Sequence, residues 1–219
     1  MDVTSQSVGI LGGTGPAGRG VAVRLAAAGH RVVVGSRDAG RAREVAASLP
    51  SGSGAIEGAD NAGAADCDLV VVATPWDSAV ATVRALREPL AGKVVISMVN
   101  ALTREGKEVV PLYPPRGAMA AQIAAALPQS RVVGAFHHLP AAQMEDLASG
   151  LEADVAVVGD DTAARASVVE LIDAMPGLRA VEVGTMSLAS AVEAFTAVCV
   201  SINIRHRAHS YLAFRGLSA

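Results

Sequence analysis

The chain has 219 residues, 51% hydrophobic and 18% charged, a balance that excludes disorder because this much apolar side chain can be buried against the entropy lost on ordering. Eighteen Lys and Arg stand against 21 Asp and Glu, a formal charge of −3, so no broad cationic field is on offer to nucleic acid or anionic lipid. With three Phe, two Tyr and one Trp, the core must be filled by small and branched aliphatics, as where Ala-rich helices cover parallel strands.

Val8–Leu11 reads as a first strand and runs straight into the glycine-rich Gly12–Gly20. A helix from about Pro16 to Ala28 follows, with Gly29 as a left-handed stop, and then a second strand at Arg31–Gly35. Arg41–Leu49 is helical, Pro50–Gly54 a flexible loop, and Ala55–Glu57 a short strand. Asp68–Thr74 contains the continuous run Leu-Val-Val-Val-Ala expected of a strand buried on both faces. Pro75-Trp76 ends it, Ser78–Leu90 reads as a helix, and Lys93–Met98 as the next strand. Thr103–Pro115, with Pro111, Pro114 and Pro115, reads as a loop, and Ala118–Leu127 as a helix. Three further strands are expected at Val132–Phe136, Asp154–Gly159 and Ala180–Val183, with a helix at Thr162–Met175. A last long helix, Ser187 to Tyr211, carries Val192, Phe195, Val198, Val200 and Ile202.

The repeated β-α-β order predicts an α/β fold: a Rossmann-type, doubly wound parallel sheet of more than six strands with a small C-terminal strand and helix extension. No linker or repeat divides the chain. Residues 1–219 are expected to form a single dinucleotide-binding domain in which roughly 137–219 make a small lobe covering the cleft. Cys67 and Cys199 lack paired or metal-ligand spacing and read as buried thiols, so no metal is expected. No apolar run reaches about 18 residues, and Met1–Ser7 lacks an export pattern. The expectation is a cytoplasmic protein.

Gly13-Thr14-Gly15-Pro16-Ala17-Gly18 fits G-x-G-x-x-G between a strand and a helix, the context that gives the pattern meaning. Gly13 is assigned to the tight turn, Gly15 to the approach of a pyrophosphate, and Gly18 to close helix packing. Free N–H groups at the helix start would hold the anion. An NAD site usually has an acid at the end of the second strand to accept from the ribose 2′-hydroxyl; this chain has Gly35-Ser36-Arg37. Ser36, Arg37 and Arg41 would instead attract a 2′-phosphate, and NADP is preferred. Asp38 lies close by and could act either way.

With Gly12-Gly13-Thr14-Gly15, Gly35-Ser36-Arg37, Thr74-Pro75-Trp76, Ile96-Ser97-Met98-Val99-Asn100, His137-His138-Leu139-Pro140-Ala141-Ala142 and Ile202-Asn203-Ile204-Arg205 in this order, the chain resembles the NADPH-dependent deazaflavin (coenzyme F420) reductases from Val8 to near Leu217. The resemblance implies reversible hydride transfer between NADP(H) and coenzyme F420, two small-molecule cofactors that carry the redox chemistry themselves. It implies that Thr14, Gly15, Pro16 and Ala17 hold the pyrophosphate, that Ser36, Arg37 and Arg41 hold the 2′-phosphate, and that Trp76 and Ala141 border the nicotinamide. The deazaflavin would lie over Ser97, Met98, Val99 and Asn100 and over His137, Leu139 and Pro140. His137 is assigned to binding, and no residue to catalysis, because hydride transfer needs no protein nucleophile or acid.

The family also suggests a homodimer, for which the apolar last helix is a contact surface. Arg205, His206, Arg207 and His209 either complement a helix C-terminus or meet an anionic deazaflavin tail. Ala213-Phe214-Arg215-Gly216 departs from the family's more aliphatic ending. Two alternatives remain at this point: an NADP-dependent imine or ketone reductase, which normally adds a large helical domain, and a non-catalytic NADP-binding redox sensor, which would have no use for a second cofactor slot.

Overall fold

The computed structural model describes residues 6–217. Within them the strands are β1 (Val8–Leu11), β2 (Arg31–Ser36), β3 (Ala55–Asp60), β4 (Leu69–Val72), β5 (Val94–Ser97), β6 (Leu102–Glu105), β7 (Glu108–Pro111), β8 (Arg131–Gly134), β9 (Ala153–Gly159) and β10 (Leu178–Gly184). Eight of them form one sheet in the order β10-β9-β8-β5-β4-β1-β2-β3. All neighbours are parallel except β8 and β9, where Val133 faces Gly159 and Gly134 faces Val158 in antiparallel register. The chain winds from β1 outward through β2 to β3, then crosses back to β4 and winds the other way. The reversal between β1 and β4 opens a crevice at their carboxyl ends, the place where ligands bind in open α/β sheets.

β1 and β4 are buried along their whole length because helices cover both faces of the sheet. Alternation sends Val8, Ile10, Val32 and Val34 into one core layer with Val21 and Leu25 of α1 (Pro16–Ala27). Leu11, Val33, Val70 and Val72 enter the opposite layer. There they meet α3 (Asn61–Ala65), α4 (Trp76–Ala85) and α6 (Met119–Ala126) through Ala64, Val83 and Ile123. α3 lies so close to β1 that a Cβ on Gly9 would stand 1.8 Å from the Ala64 carbonyl oxygen.

Several expectations are corrected. The segment read as a loop at Thr103–Pro115 contains the hairpin β6–β7, with Glu105 opposite Glu108 and Gly106 left-handed at φ 60° in its two-residue turn. The prolines masked a turn whose only demand is a glycine at its first position. The helix expected at Ser78–Leu90 begins earlier, as α4, and breaks at Leu86 before a short α5 (Arg87–Leu90). Two five-residue helices, α3 and α7 (Ala141–Glu145), are too short to show a helical period. The remaining helices are α2 (Ala39–Ser48), α8 (Thr162–Asp173) and α9 (Ala189–His206). α9 stops at a left-handed Arg207, φ 51°, short of Tyr211. Beyond it the chain returns to β9: Asp154 donates its N–H to Leu212, and its carboxylate accepts from Phe214 and from Arg179 at 2.7 Å.

Candidate cofactor cleft

β1 runs into a loop whose one left-handed residue is Gly12, φ 72°, so the tight turn falls one position before Gly13, where it was expected. A Cβ on Gly12 would meet Thr74 Cγ2 at 2.8 Å. Gly13 instead donates to the carbonyls of Ile10 and Gly35, at 3.2 and 2.8 Å, and ties the loop to β2. Gly18 serves as expected, since a Cβ there would stand 2.7 Å from Gly13 Cα. Gly15 caps α1 and Pro16 opens it. A first-turn proline removes one amide donor, leaving those of Ala17 and Gly18 at the positive end of the helix.

A cleft of about 550 Å³ lies over this loop. Thr14, Gly15, Pro16 and Ala17 form one wall and Ser36, Arg37 and Arg41 one end. Trp76, 40% exposed at the start of α4, lines it too, as do Met98, Val99 and Asn100 after β5. Of the sixteen residues singled out from the sequence, these eleven come together. No Asp or Glu lines the cleft among the described residues. Asp38 is turned away as the cap of α2, accepting from Gly40 N at 2.8 Å and Arg41 N at 3.2 Å. Its own N–H donates to Ser36 Oγ at 3.2 Å. Arg37 and Arg41 are exposed.

The other five do not line the cleft. Ser97 is wholly buried at the end of β5, Leu139 packs on the main core, and Pro140 is the buried cap of α7. Ala141 lines a separate shallow depression with Pro16 and Arg19. His137 turns inward after Phe136, whose φ of 65° is rare for a bulky residue. Its carbonyl accepts from Asn100 Nδ2 at 3.1 Å and from Thr196 Oγ1 at 3.2 Å, which hold that turn. Burial, followed by the neighbouring His138, pushes His137 down to about 3, so its ring is neutral at pH 7. Its Nε2 is 4.0 Å from Glu193 Oε1, and burial raises that carboxyl to about 7 against two hydrogen bonds from the amides of Ala120 and Met119. Arg205 and His206 line the outer side of α9, apart from this cleft.

Sequence reasoning did not single out Asn61, Ser78 or Thr82, and took Thr74 only as part of a motif; all four line the cleft. Thr74 Oγ1 is buried without a partner among the described residues. Asn61 Oδ1 accepts from Gly12 N at 3.2 Å. The signal for Asn61 would have been the true end of β3, which runs to Asp60 rather than Glu57.

Residues 7–101 match the family described as NADP oxidoreductase, coenzyme F420-dependent. The F420-dependent NADP reductase of Methanocaldococcus jannaschii is 34% identical over 209 residues, which cover 91% of this chain and 93% of that protein. The chain belongs to the F420-dependent NADP reductase family. A crystal structure of a candidate F420-dependent NADP reductase from Arthrobacter sp. FB24 superposes with a TM-score of 0.76 at 28% identity, over 92% of this chain and 93% of that one. An imine reductase from Bacillus cereus shares the fold at TM-score 0.61 and 18% identity, but this F420-dependent reductase family member covers only 60% of its length.

Proposed function

We propose that this chain transfers a hydride reversibly between NADP(H) and coenzyme F420 in the cleft at the β1/β4 reversal. The observation that carries this reading is a single acid-free crevice in which the glycine loop, two exposed arginines and the end of β5 converge. The residues present suit a dinucleotide: Gly12 leaves no room for a side chain beside Thr74, and the Thr74 hydroxyl has no partner among the described residues. When bound, the two cofactors supply the redox chemistry, with the hydride passing between nicotinamide C4 and deazaflavin C5.

The chain's own work is to bind, orient and keep water out. Thr14, Gly15 and Ala17 offer backbone amides to the pyrophosphate, and Pro16, which has no N–H to give, sets the start of the helix beneath it. Ser36, Arg37 and Arg41 take the adenosine 2′-phosphate by charge-assisted hydrogen bonds. Trp76 and Ala141 border the nicotinamide half. Met98, Val99 and Asn100 border the deazaflavin directly. Ser97, His137, Leu139 and Pro140 support that slot from behind, His137 through the carbonyl that anchors Asn100. A neutral, enclosed imidazole suits this supporting part better than acid catalysis. The expected lobe, taken over residues 137–217, backs this side of the cleft, holding Asn100 through the His137 carbonyl and Thr196.

The enzyme works as a cytoplasmic homodimer, without nucleic acid or membrane partners. α9 with its preceding turn is long and apolar enough to cross a membrane by length and composition. However, Glu193 and Thr196 tie it to α6 and to Asn100 within the domain. Its outer face exposes Phe195, Val198 and Ile202 beside the β6–β7 hairpin, in an apolar groove of about 670 Å³. Glu108 and Arg205 in that groove offer opposite charges to a two-fold copy.

Purified protein with NADPH and oxidised F420 is expected to bleach the deazaflavin's visible absorbance, and NADH to serve poorly. Reduction of an imine by NADPH, with F420 left untouched, would overturn the assignment.

A further inference from the structure

Asn61 stands where three backbones meet, at the floor of the cleft between the anion loop and the arginine end. It directly follows Asp60, which pairs with Ser36 across β2 and β3. Its Oδ1 is 3.2 Å from Gly12 N and would be 2.9 Å from a Cβ on Gly35, the residue whose carbonyl holds Gly13. Glycine at 35 is therefore a condition for this side chain's approach. An N–H can only donate, so the atom facing Gly12 must be the carboxamide oxygen. That fixes the orientation: the amino group of Asn61 is turned away from Gly12, and no protein acceptor engages it among the described residues. Asn61 lines the cleft between Gly12 and Ser36, where the acid usual for a 2′-hydroxyl is missing.

We propose that Asn61 reads the adenosine half of the dinucleotide: with its oxygen held by Gly12 N–H, its amino group donates to the ribose and phosphate oxygens that lie between the glycine loop and the Ser36, Arg37 and Arg41 pocket. One side chain thus sets the loop and contacts the ligand, and it does so with a donor, as a phosphate-rich ligand requires. A carboxylate at the same place would keep the bond from Gly12 but present charge of the wrong sign. This inference rests on the NADP reading of the cleft and adds to it a recognition residue.

The test is calorimetric binding of NADP+ and of 2′,5′-ADP to the full chain, so the readout is independent of turnover. Asn61→Asp keeps the acceptor for Gly12 and should weaken both ligands by about tenfold or more at pH 8, the size of a lost hydrogen bond to a charged group. Its deficit relative to wild type at the same pH should shrink as the pH falls from about 5 through about 4, because a protonated carboxyl regains a donor. Asn61→Ala, with no added charge, should weaken both ligands by about three- to tenfold at every pH. Wild-type affinity in either variant, or a deficit in Asn61→Asp that does not change with pH, overturns the inference alone. A wild-type protein that binds neither ligand overturns the NADP reading with it.

Discussion

Arg24 shows how much one side chain can carry. It is 2% exposed, yet its Nε donates to the Met144 carbonyl at 3.1 Å, Nη1 to Pro176 at 2.5 Å and Nη2 to Gln143 at 2.7 Å. Burial pushes its guanidinium below the ordinary range while Asp146 pulls it back. The acceptors belong to the end of α7 and the turn before β10, so this arginine clamps them to α1 and fixes the start of α7, Ala141, beside the glycine loop. Arg24→Met should cost about 3–5 kcal/mol in urea unfolding, because several buried carbonyls lose their donor together; a cost below about 1 kcal/mol would deny it this part. Arg37 and Arg41 lie at the other extreme, exposed and mechanically idle. Replacing both by Ala should raise the KM for NADPH about tenfold or more, the worth of contacts to a charged phosphate, and leave the KM for NADH unchanged. An equal loss with both nucleotides would show that these arginines do not read the 2′-phosphate. These two were legible in the sequence because chemistry announces itself at a known offset from a glycine motif. Asn61 and Thr74 were not, since their positions depend on where β3 ends and on how closely Gly12 approaches β4.

Among the elements, α9 is joined to α6 by a carboxylate that accepts two amides at the start of that helix, at 2.7 and 2.8 Å. Glu193 is raised from 4.5 to about 7, so its stabilising contribution is full below pH 4.5 and is lost as the pH rises through 7. His137 is lowered from 6.5 to about 3, so its contribution is full above pH 6.5 and is lost as the pH falls through 3. Between pH 4.5 and 6.5 the two slopes have opposite signs. His137→Asn removes only the second slope. Relative to wild type, this variant should gain stability in denaturant titrations as the pH falls from 6.5 to 4.5. Parallel pH profiles would contradict the opposed titrations. None of this could be read from the sequence, because Glu193 and His137 lie far apart in it and only the packing of α9 on the sheet brings them to 4.0 Å. The strands were far more legible. Continuous Val and Leu runs mark β1, β4 and β5 because burial on both faces removes any need for alternation. The hairpin β6–β7 and the short α3 and α7 escaped because four or five residues hold too little of a period to be seen.

At the scale of the molecule, a doubly wound sheet puts the glycine loop, the arginine pair and the end of β5 at one edge, although they are spread over nearly a hundred residues of chain. The order of motifs carried that arrangement, since parallel β-α-β units place the strand ends on one side. The outer face of α9 is the other large-scale feature. Phe195→Asp with Ile202→Asp should convert a dimer of twice 22.1 kDa into a monomer in sedimentation. An unchanged mass would place the interface elsewhere, or deny it if the wild type is itself a monomer. The most direct test of the central claim uses NADPH carrying deuterium at both C4 positions of the nicotinamide, mixed with oxidised F420 and the enzyme in ordinary water. If both carriers share one water-excluding crevice, the label should pass to deazaflavin C5 and be retained there; label lost to solvent, or turnover that leaves the deazaflavin unlabelled, would contradict the account.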